Sequence, residues 1–333
     1  MHTAGFTMIS MGSGLATFIR TEGFPRLPKE ICLRDPFICR DRNSTAYRCS
    51  MMIQKTPLES NSVHPEIAEM FSLQGKTALI TGGASPLGID AASILAAAGS
   101  DLILTSRSLD KAVNACKMIN EKYGVKTWSF AFDHTNFESV DQLGHWLDEN
   151  SLAPDILINN AGGGSGQSES NLFKRDSSDI AASINTNLLG VIYCCKVVGA
   201  IMVKHGSGRI INIASIAGLV GRDRRIYEGT GMLGQPVDYA ASKAGIIGFT
   251  RDLAALLGPS GVLVNCISPG GFSSVQRAHP RLFIERYGDK TPLGRLGRDG
   301  IDLKGAILYL ASRASDYVTG QNLVVDGGFT IFK

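Results

Sequence analysis

What this 333-residue sequence lacks narrows the field first. Charge of one sign is not in excess: 33 Lys and Arg stand against 30 Asp and Glu, a formal net charge of +3. That is too small to recruit a nucleic acid or an anionic membrane. Metal-type cysteine spacing is missing as well. The seven cysteines, Cys32, Cys39, Cys49, Cys116, Cys194, Cys195 and Cys266, are scattered, odd in number and without a C-x-x-C pair. The pattern argues against a metal site or a disulfide framework, and for reduced thiols in a cytoplasmic setting. No apolar run approaches the roughly 18 residues of a membrane helix, and no internal repeat is present. With 44% hydrophobic and 19% charged residues, the composition is that of a globular protein. The length suits one large domain with an appendage.

Texture divides the chain near His64-Pro65, giving an extension over 1–63 and a domain over 64–333. The extension shows neither helical nor alternating periodicity and carries three of the seven cysteines. Its first 19 residues are mildly apolar, but Gly and Ser interrupt them and no basic segment precedes them, which argues against a secretory signal. Arg20, Arg26, Arg34, Arg40, Arg42 and Arg48 have the texture of an organelle transit peptide; Glu22, Glu30, Asp35 and Asp41 oppose it, because such peptides are poor in acids. The reading is a disordered leader, or sequence upstream of a later start at Met51 or Met52. Cytoplasmic location is expected, with organelle import as the alternative.

Beyond residue 70 short apolar runs alternate with helical stretches. KTALIT, DLILTS, WSFAFD, DILINNAG, RIINIAS and VLVNCISPG read as buried parallel strands. Helical patterns such as IDAASILAAAG and LDKAVNACKMINEKYG separate them. Such alternation implies right-handed βαβ units and an α/β, Rossmann-type doubly wound parallel sheet in a single domain.

The chemistry sits at the strand ends. TGGASPLG (Thr81 to Gly88) joins the first strand to the first helix, where a dinucleotide fold needs a tight turn and a helix N-terminus facing pyrophosphate. Asp133 closes the third strand, where a carboxylate can accept from an adenine amino group. NNAG (Asn159 to Gly162) closes the fourth, where small residues let the backbone approach. After the second strand a ribose 2′-OH favours a carboxylate, whereas a 2′-phosphate needs a cation. Here stand Ser106 and Arg107, and Arg can pair with phosphate bidentately. NADP is therefore expected over NAD. In YAASK, Tyr239 and Lys243 are one helical turn apart and project together. A free tyrosine titrates near 10, and a protonated Lys243 would lower that value. A shift of about three units is worth roughly 4 kcal/mol.

The ordered set of TGxxxGxG, an Asp after the third strand, NNAG, a strand-end Ser215, YAASK, VNCISPGG and YVTGQNLVVDGG resembles the short-chain dehydrogenase/reductase family, in its single-domain, non-membrane form. The resemblance covers nearly everything after residue 70. It implies hydride exchange between a nicotinamide and a secondary alcohol or ketone, with Asn187, Ser215, Tyr239 and Lys243 as the catalytic group. Ser215 would orient the substrate oxygen, Tyr239 would exchange its proton, Lys243 would hold the ribose and tune Tyr239, and Asn187 would link the proton to solvent. It further implies cofactor contacts from Gly82, Ser85, Leu87 and Gly88 at the phosphates, and from Ser106 and Arg107 at the ribose. Asp133 and His134 would serve the adenine. Asn160, Ala161 and Gly162, with Tyr239 and Lys243, would serve the nicotinamide ribose; Pro269, Gly270 and Phe272 would line the nicotinamide. One departure stands out: Pro86 replaces a glycine of the family pattern. Proline at the first helical position forfeits little, so Pro86 should open the helix without destroying the site.

Two segments should overhang the substrate. One is a long link between Ser215 and Tyr239, GLVGRDRRIYEGTGMLGQPVD. The other runs from Phe272 to Gly297 and carries Arg277, His279, Arg281, Arg286 and Arg295. Cations there suit a carboxylate-bearing or polyhydroxy substrate; equally, Asp223, Glu228, Glu285 and Asp289 could balance them. The wording around both segments resembles gluconate or sugar-acid dehydrogenases. A 3-oxoacyl thioester reductase would share every catalytic residue, and a non-catalytic dinucleotide sensor or scaffold would share the fold. NLLGVIYCCKVVGAIMVK and AGIIGFTRDLAALLG are apolar around more than one face, which predicts a homo-oligomer, tetramer or dimer, unless the Gly221–Pro236 insertion covers that face within one chain.

Overall fold

The structure, a computed structural model, describes residues 63–163, 169–273 and 279–332. The extension, apart from Val63, lies outside the described residues, as does Arg277. A short helix, α1 (Pro65–Phe71), leads into β1 (Thr77–Thr81), α2 (Pro86–Ala97), β2 (Asp101–Ser106), α3 (Leu109–Tyr123), β3 (Thr127–Ala131), α4 (Phe137–Glu149) and β4 (Ile156–Asn159). Then come α5 (Ser177–Ile184), a π turn (Asn185–Leu189), α6 (Gly190–His205), β5 (Gly208–Ile213), α7 (Val237–Leu257) and β6 (Val262–Pro269). A two-stranded ribbon of β7 (Phe272–Ser273) and β8 (Gly297–Arg298) brackets α8 (Arg281–Asp289). Helix α9 (Lys304–Ala311) and strand β9 (Asn322–Val325) end the fold.

Seven strands form one sheet in the order β3-β2-β1-β4-β5-β6-β9, and every pairing is parallel. The central strands read as continuous apolar runs because both faces are covered. Side chains alternate between the two cores with period two. Ala78, Ile80, Leu102, Leu104, Ile156 and Ile158 enter a core with α2, α3 and α9. Leu79, Ile103, Leu157 and Ile210 enter the opposite core with α4, α6 and α7. Strand order reverses direction at β1 and β4. In open α/β sheets that switch point, at the carboxyl ends, is where ligands bind.

Three sequence expectations need correcting. The third strand ends at Ala131, two residues before Asp133, because Asp133 turns the chain by accepting from the Thr135 backbone and hydroxyl. Ser215 likewise lies past its strand, capping a 3₁₀ turn (Ile216–Gly218) with its side chain. Third, Ser177–His205 forms one helical run of 29 residues, long and apolar enough to cross a membrane by length and composition. Thr186 and Asn187 interrupt its apolar pattern, and the π turn carries the helix through them. Val191, Cys194, Cys195, Val198 and Met202 in this run are buried against the sheet.

Candidate active site

The cofactor end is built on a stitch between β1 and β4. Thr81 Oγ1 accepts from the backbone N–H groups of Asn160 and Ala161, each at 3.0 Å. The Asn160 amide donates back to the carbonyls of Thr81 and Gly82 at 3.0 Å and to Ser85 Oγ at 3.1 Å. Gly82 adopts φ +62°. A Cβ on Gly88 would lie 2.3 Å from the Gly82 carbonyl oxygen, so only glycine lets α2 close onto the turn. Pro86 occupies the first turn of α2, and Ser85 caps it by accepting from Gly88 N at 3.3 Å. Pro86 does open the helix, as expected. Leu87 follows it, half-buried against the core beneath. The result is a tight cradle at a helix N-terminus, which fits a dinucleotide pyrophosphate.

Around that cradle the expected contacts fall into two kinds. Arg107 is exposed just past β2 and forms no ion pair with a described residue; beside it Ser106 Oγ accepts from Ser108 N. Asp133 is half-buried, and its carboxyl is held below the usual range: burial opposes ionisation, but the hydrogen bonds from Thr135 outweigh it. His134 differs. Its ring is buried against Gly190, with Nε2 3.0 Å from the Thr186 carbonyl, and burial pushes its pKa down. It acts as a staple between the adenine-side loop and the π turn. In that turn Asn187 Oδ1 accepts from Gly163 N at 2.7 Å, and a Cβ on Gly162 would meet it at 2.9 Å. Gly162 and Gly163 both have strongly positive φ. The π turn thus positions the end of the NNAG segment; such bulges concentrate at functional sites. On the far side Pro269 ends β6, Gly270 N bonds the Val325 carbonyl, and Gly271 N donates to the Tyr287 hydroxyl at 2.5 Å. Phe272, half-buried, starts the ribbon against Gly297.

The catalytic candidates converge from β5 and α7. Gly218 has no room for a Cβ, which would lie 2.6 Å from Ala244 N, so the Ser215 turn presses directly on α7. Tyr239 is half-buried, and burial pushes its hydroxyl above the ordinary value, with the nearby Ser215 side chain acting in the opposite direction. Lys243 is buried, donates to the Ile213 carbonyl at 2.8 Å, and sits 5.8 Å from the Tyr239 ring centroid. Burial lowers its pKa to about 8. The Lys243 ammonium is therefore tied to the strand end, over the ring of Tyr239 rather than on its hydroxyl. One supporting pair escaped the sequence reading. Asp238, immediately before Tyr239, takes Arg175 at 2.9 and 3.1 Å, with side chains 3% and 5% exposed. Arg175 also donates to the carbonyls of Glu169 and Asp179. A carboxylate opening an apolar helix was the only hint; nothing in the sequence marked Arg175 as its partner.

The two overhanging segments form one unit. A 3₁₀ turn (Arg224–Tyr227) in the insertion buries Ile226 and Tyr227 against Phe283 and Tyr287 of α8. Tyr227 stacks on Phe283 at 5.5 Å, and Tyr287 on Phe329 at 4.7 Å. Lys290 pairs with Asp223 at 2.7 Å, and Arg286 donates to the carbonyls of Arg225 and Glu228. Most of the cations are satisfied locally: Arg225 by Asp223, Arg281 by Glu285, and Arg295 and Arg298 by Asp302. His279 bonds the Phe272 carbonyl.

Comparison with known proteins agrees with this geometry. The family model described as Enoyl-(Acyl carrier protein) reductase matches residues 82–330. A 3-oxoacyl-[acyl-carrier-protein] reductase of Aquifex aeolicus is 35% identical over 258 residues, covering 77% of this chain and 98% of that protein. A 2-dehydro-3-deoxy-D-gluconate 5-dehydrogenase of Bacillus subtilis is 35% identical over 269 residues, covering 78% and 97%. Among solved structures, a gluconate 5-dehydrogenase of Burkholderia cenocepacia in complex with NADP and tartrate superposes with a TM-score of 0.72. It is 31% identical and covers 80% of this chain and 99% of that one.

The burial of Lys243 makes a stability prediction. Lowering its pKa from 10.5 to about 8 corresponds to a folding penalty of roughly 3 kcal/mol while the amine is charged in both states. As pH rises from about 8 to 10.5 the unfolded chain keeps the proton that the folded chain has lost, so stability rises. Lys243→Met should therefore stabilise the cofactor-free protein by about 1–2 kcal/mol at pH 7, net of the hydrogen bond lost to Ile213. The gain should shrink toward pH 10. Denaturant melts at both pH values check this, and a less stable variant at pH 7 contradicts it.

Proposed function

This chain belongs to the short-chain dehydrogenase/reductase family and is an NAD(P)-dependent oxidoreductase of CH–OH groups, and from that premise we propose that it prefers NADP(H) and acts on a small sugar acid or polyol in the cytoplasm. The observation that carries the cofactor preference is Arg107, exposed, without an ion pair among the described residues and beside Ser106 at the end of β2. A 2′-phosphate would give its guanidinium a direct partner, beyond the more distant Asp133, and no carboxylate stands at Ser106 to prefer a ribose hydroxyl. The NADP in the Burkholderia relative supports the same reading.

In the proposed reaction the bound nicotinamide supplies or accepts the hydride. The chain's own residues handle the oxygen and its proton. Ser215 and Tyr239, close enough for the serine to affect the phenol, together receive the substrate oxygen. Tyr239 takes the hydroxyl proton at its phenol oxygen during oxidation and returns it during reduction. Burial works against a phenolate there, so a nearby cation has to offset it, and Lys243, one turn along α7 and 5.8 Å from the ring centroid, would do so. Asn187, buried in the π turn, would connect this proton to solvent through its backbone. Positioned proton transfer contributes about 10²–10⁴ in rate, and alignment of the reacting groups contributes more.

A second reading, reduction of a 3-oxoacyl thioester, draws on the Aquifex relative. The lid, braced by Tyr227, Phe283 and Tyr287, favours a compact substrate over a long acyl chain. Asn187, Ser215, Tyr239 and Lys243 all being present counts against a sensor that has lost turnover. The panel that tests the reading pairs NADP and NAD with sugar acids, polyols and ketones. Wild type should favour NADP in kcat/KM, and Arg107→Ala should cost about ten- to a hundredfold with NADP and little with NAD. A wild-type ratio favouring NAD rules the preference out.

Assembly follows from the outer helices. Ala241, Ala244, Gly248 and Ala255 of α7 are exposed, as are Ala200 and Val203 of α6, and Leu256 is 69% exposed. The insertion packs on α8. A second copy is the natural cover for these small and apolar side chains. Light scattering of the active enzyme should give a dimer or tetramer, whereas a monodisperse species near 35.5 kDa would mean the face is left bare.

A further inference from the structure

Arg222 stands apart from the other half-buried cations of the lid; Arg224, also without a described ion pair, is exposed. Arg222 is half-buried, and the hydrogen bond from its guanidinium to the Tyr227 hydroxyl, at 2.7 Å, is its one bond to a described side chain. No described carboxylate lies within ion-pair distance of it. Its neighbour Asp223 is taken by Arg225 and Lys290. Arg225, Arg281, Arg286, Arg295 and Arg298 all have acids or carbonyls as partners. A half-buried guanidinium with no described carboxylate partner keeps N–H donors available to an incoming anion.

Its position says where that anion would be. Tyr227, its hydrogen-bond partner, is stacked on Phe283, so the guanidinium is held on a rigid aromatic support. Tyr227 packs in one cluster with Tyr287, whose hydroxyl receives Gly271 N of the segment after β6. Arg222 is near enough to Tyr239 and Tyr287 for its charge to favour their ionised forms. Through Tyr227 and the cluster it shares with Tyr287, Arg222 is therefore linked to the segment after β6, and its charge also reaches Tyr239. Asp326, the acid that also faces Tyr287, is occupied by the N–H groups of Gly328 and Thr330.

We propose that Arg222, fixed by Tyr227, is a specificity-determining residue that binds an oxyanionic group, carboxylate or phosphate, carried by the substrate near its reacting carbon. This deepens the functional reading above and rests on it. An Arg fork with an adjacent hydroxyl matches the two or three oxygens of such a group. The lid makes the contact directional, since Lys290–Asp223 and the Arg286 bonds hold the insertion to α8.

The test uses the full chain with NADP and three six-carbon probes on one skeleton: D-gluconate, D-glucitol 6-phosphate and neutral D-glucitol. Binding to the enzyme–NADP complex is measured by calorimetry alongside steady-state rates, for wild type, Arg222→Gln and Arg222→Lys. Wild type should bind at least one anionic probe more tightly than glucitol. Arg222→Gln should lose about ten- to a hundredfold on that anion, mainly in Kd and KM with kcat nearly kept. The same change should move glucitol by less than threefold, and Arg222→Lys should recover part of the loss. A loss confined to gluconate assigns a carboxylate, and one confined to the phosphate ester assigns a phosphate. Equal loss on charged and neutral probes, no loss at all, or no binding of either anion by wild type overturns the proposal. Turnover of neutral alcohols or ketones in the same assays would leave the oxidoreductase reading standing, whereas its absence across the whole panel would bring that reading down separately.

Discussion

Lys243 carries a primary amine into the interior with one carbonyl, that of Ile213, to receive it. In the proposed mechanism the catalytic end depends on holding that cation over the ring of Tyr239. In water the ammonium would be hydrated and useless as a fixed field; inside the fold its charge acts at low dielectric, where it is worth far more. The same burial drives its pKa to about 8 and raises that of Tyr239. Neither residue is comfortable alone, and the site gains function from a strain that the scaffold tolerates. The scaffold can do so because both faces of its parallel sheet are buried in apolar cores.

Close approach is the second organising constraint. Gly88 lets α2 reach the β1 turn, Gly218 lets the Ser215 turn reach α7, and Gly162 lets the NNAG segment reach Asn187. At each point a methyl group would collide with backbone or with a functional side chain. These contacts align phosphate cradle, oxygen-binding hydroxyls and proton path without long loops between them. The buried Arg175–Asp238 pair holds the first turn of α7 in the same frame. The lid is different in kind. Its aromatic stack of Tyr227, Phe283, Tyr287 and Phe329 joins the insertion to α8 and to the C-terminal turn.

The sheet was legible because its strands are continuous apolar runs bounded by turn residues, and the ordered motifs located the ends where chemistry sits. Pro86 behaved as its fixed φ dictates. What escaped was set by tertiary context. Asp133 looked like a strand end, but its hydrogen bonds to Thr135 had already turned the chain. The ring of His134, expected beside the adenine, also bonds the Thr186 carbonyl, a partner nothing in the sequence marked. No apolar run in the sequence approached membrane length, yet Ser177 to His205 forms one long helical run, because a π turn carries the helix through Asn187. The lid cations could not be sorted by composition. Only their partners in space separate Arg222 from Arg281, Arg295 and Arg298.

The account stands or falls on whether Tyr239 exchanges the substrate proton. Replacing it with phenylalanine keeps the ring over Lys243 and removes only the hydroxyl. Single-turnover and steady-state rates of Tyr239→Phe, with NADP affinity measured on the same protein, therefore isolate that group. The expected result is a kcat lowered by at least 10²–10⁴, with NADP bound within about threefold of wild type. A variant turning over within threefold of wild type would contradict the mechanism, whatever its fold or cofactor affinity.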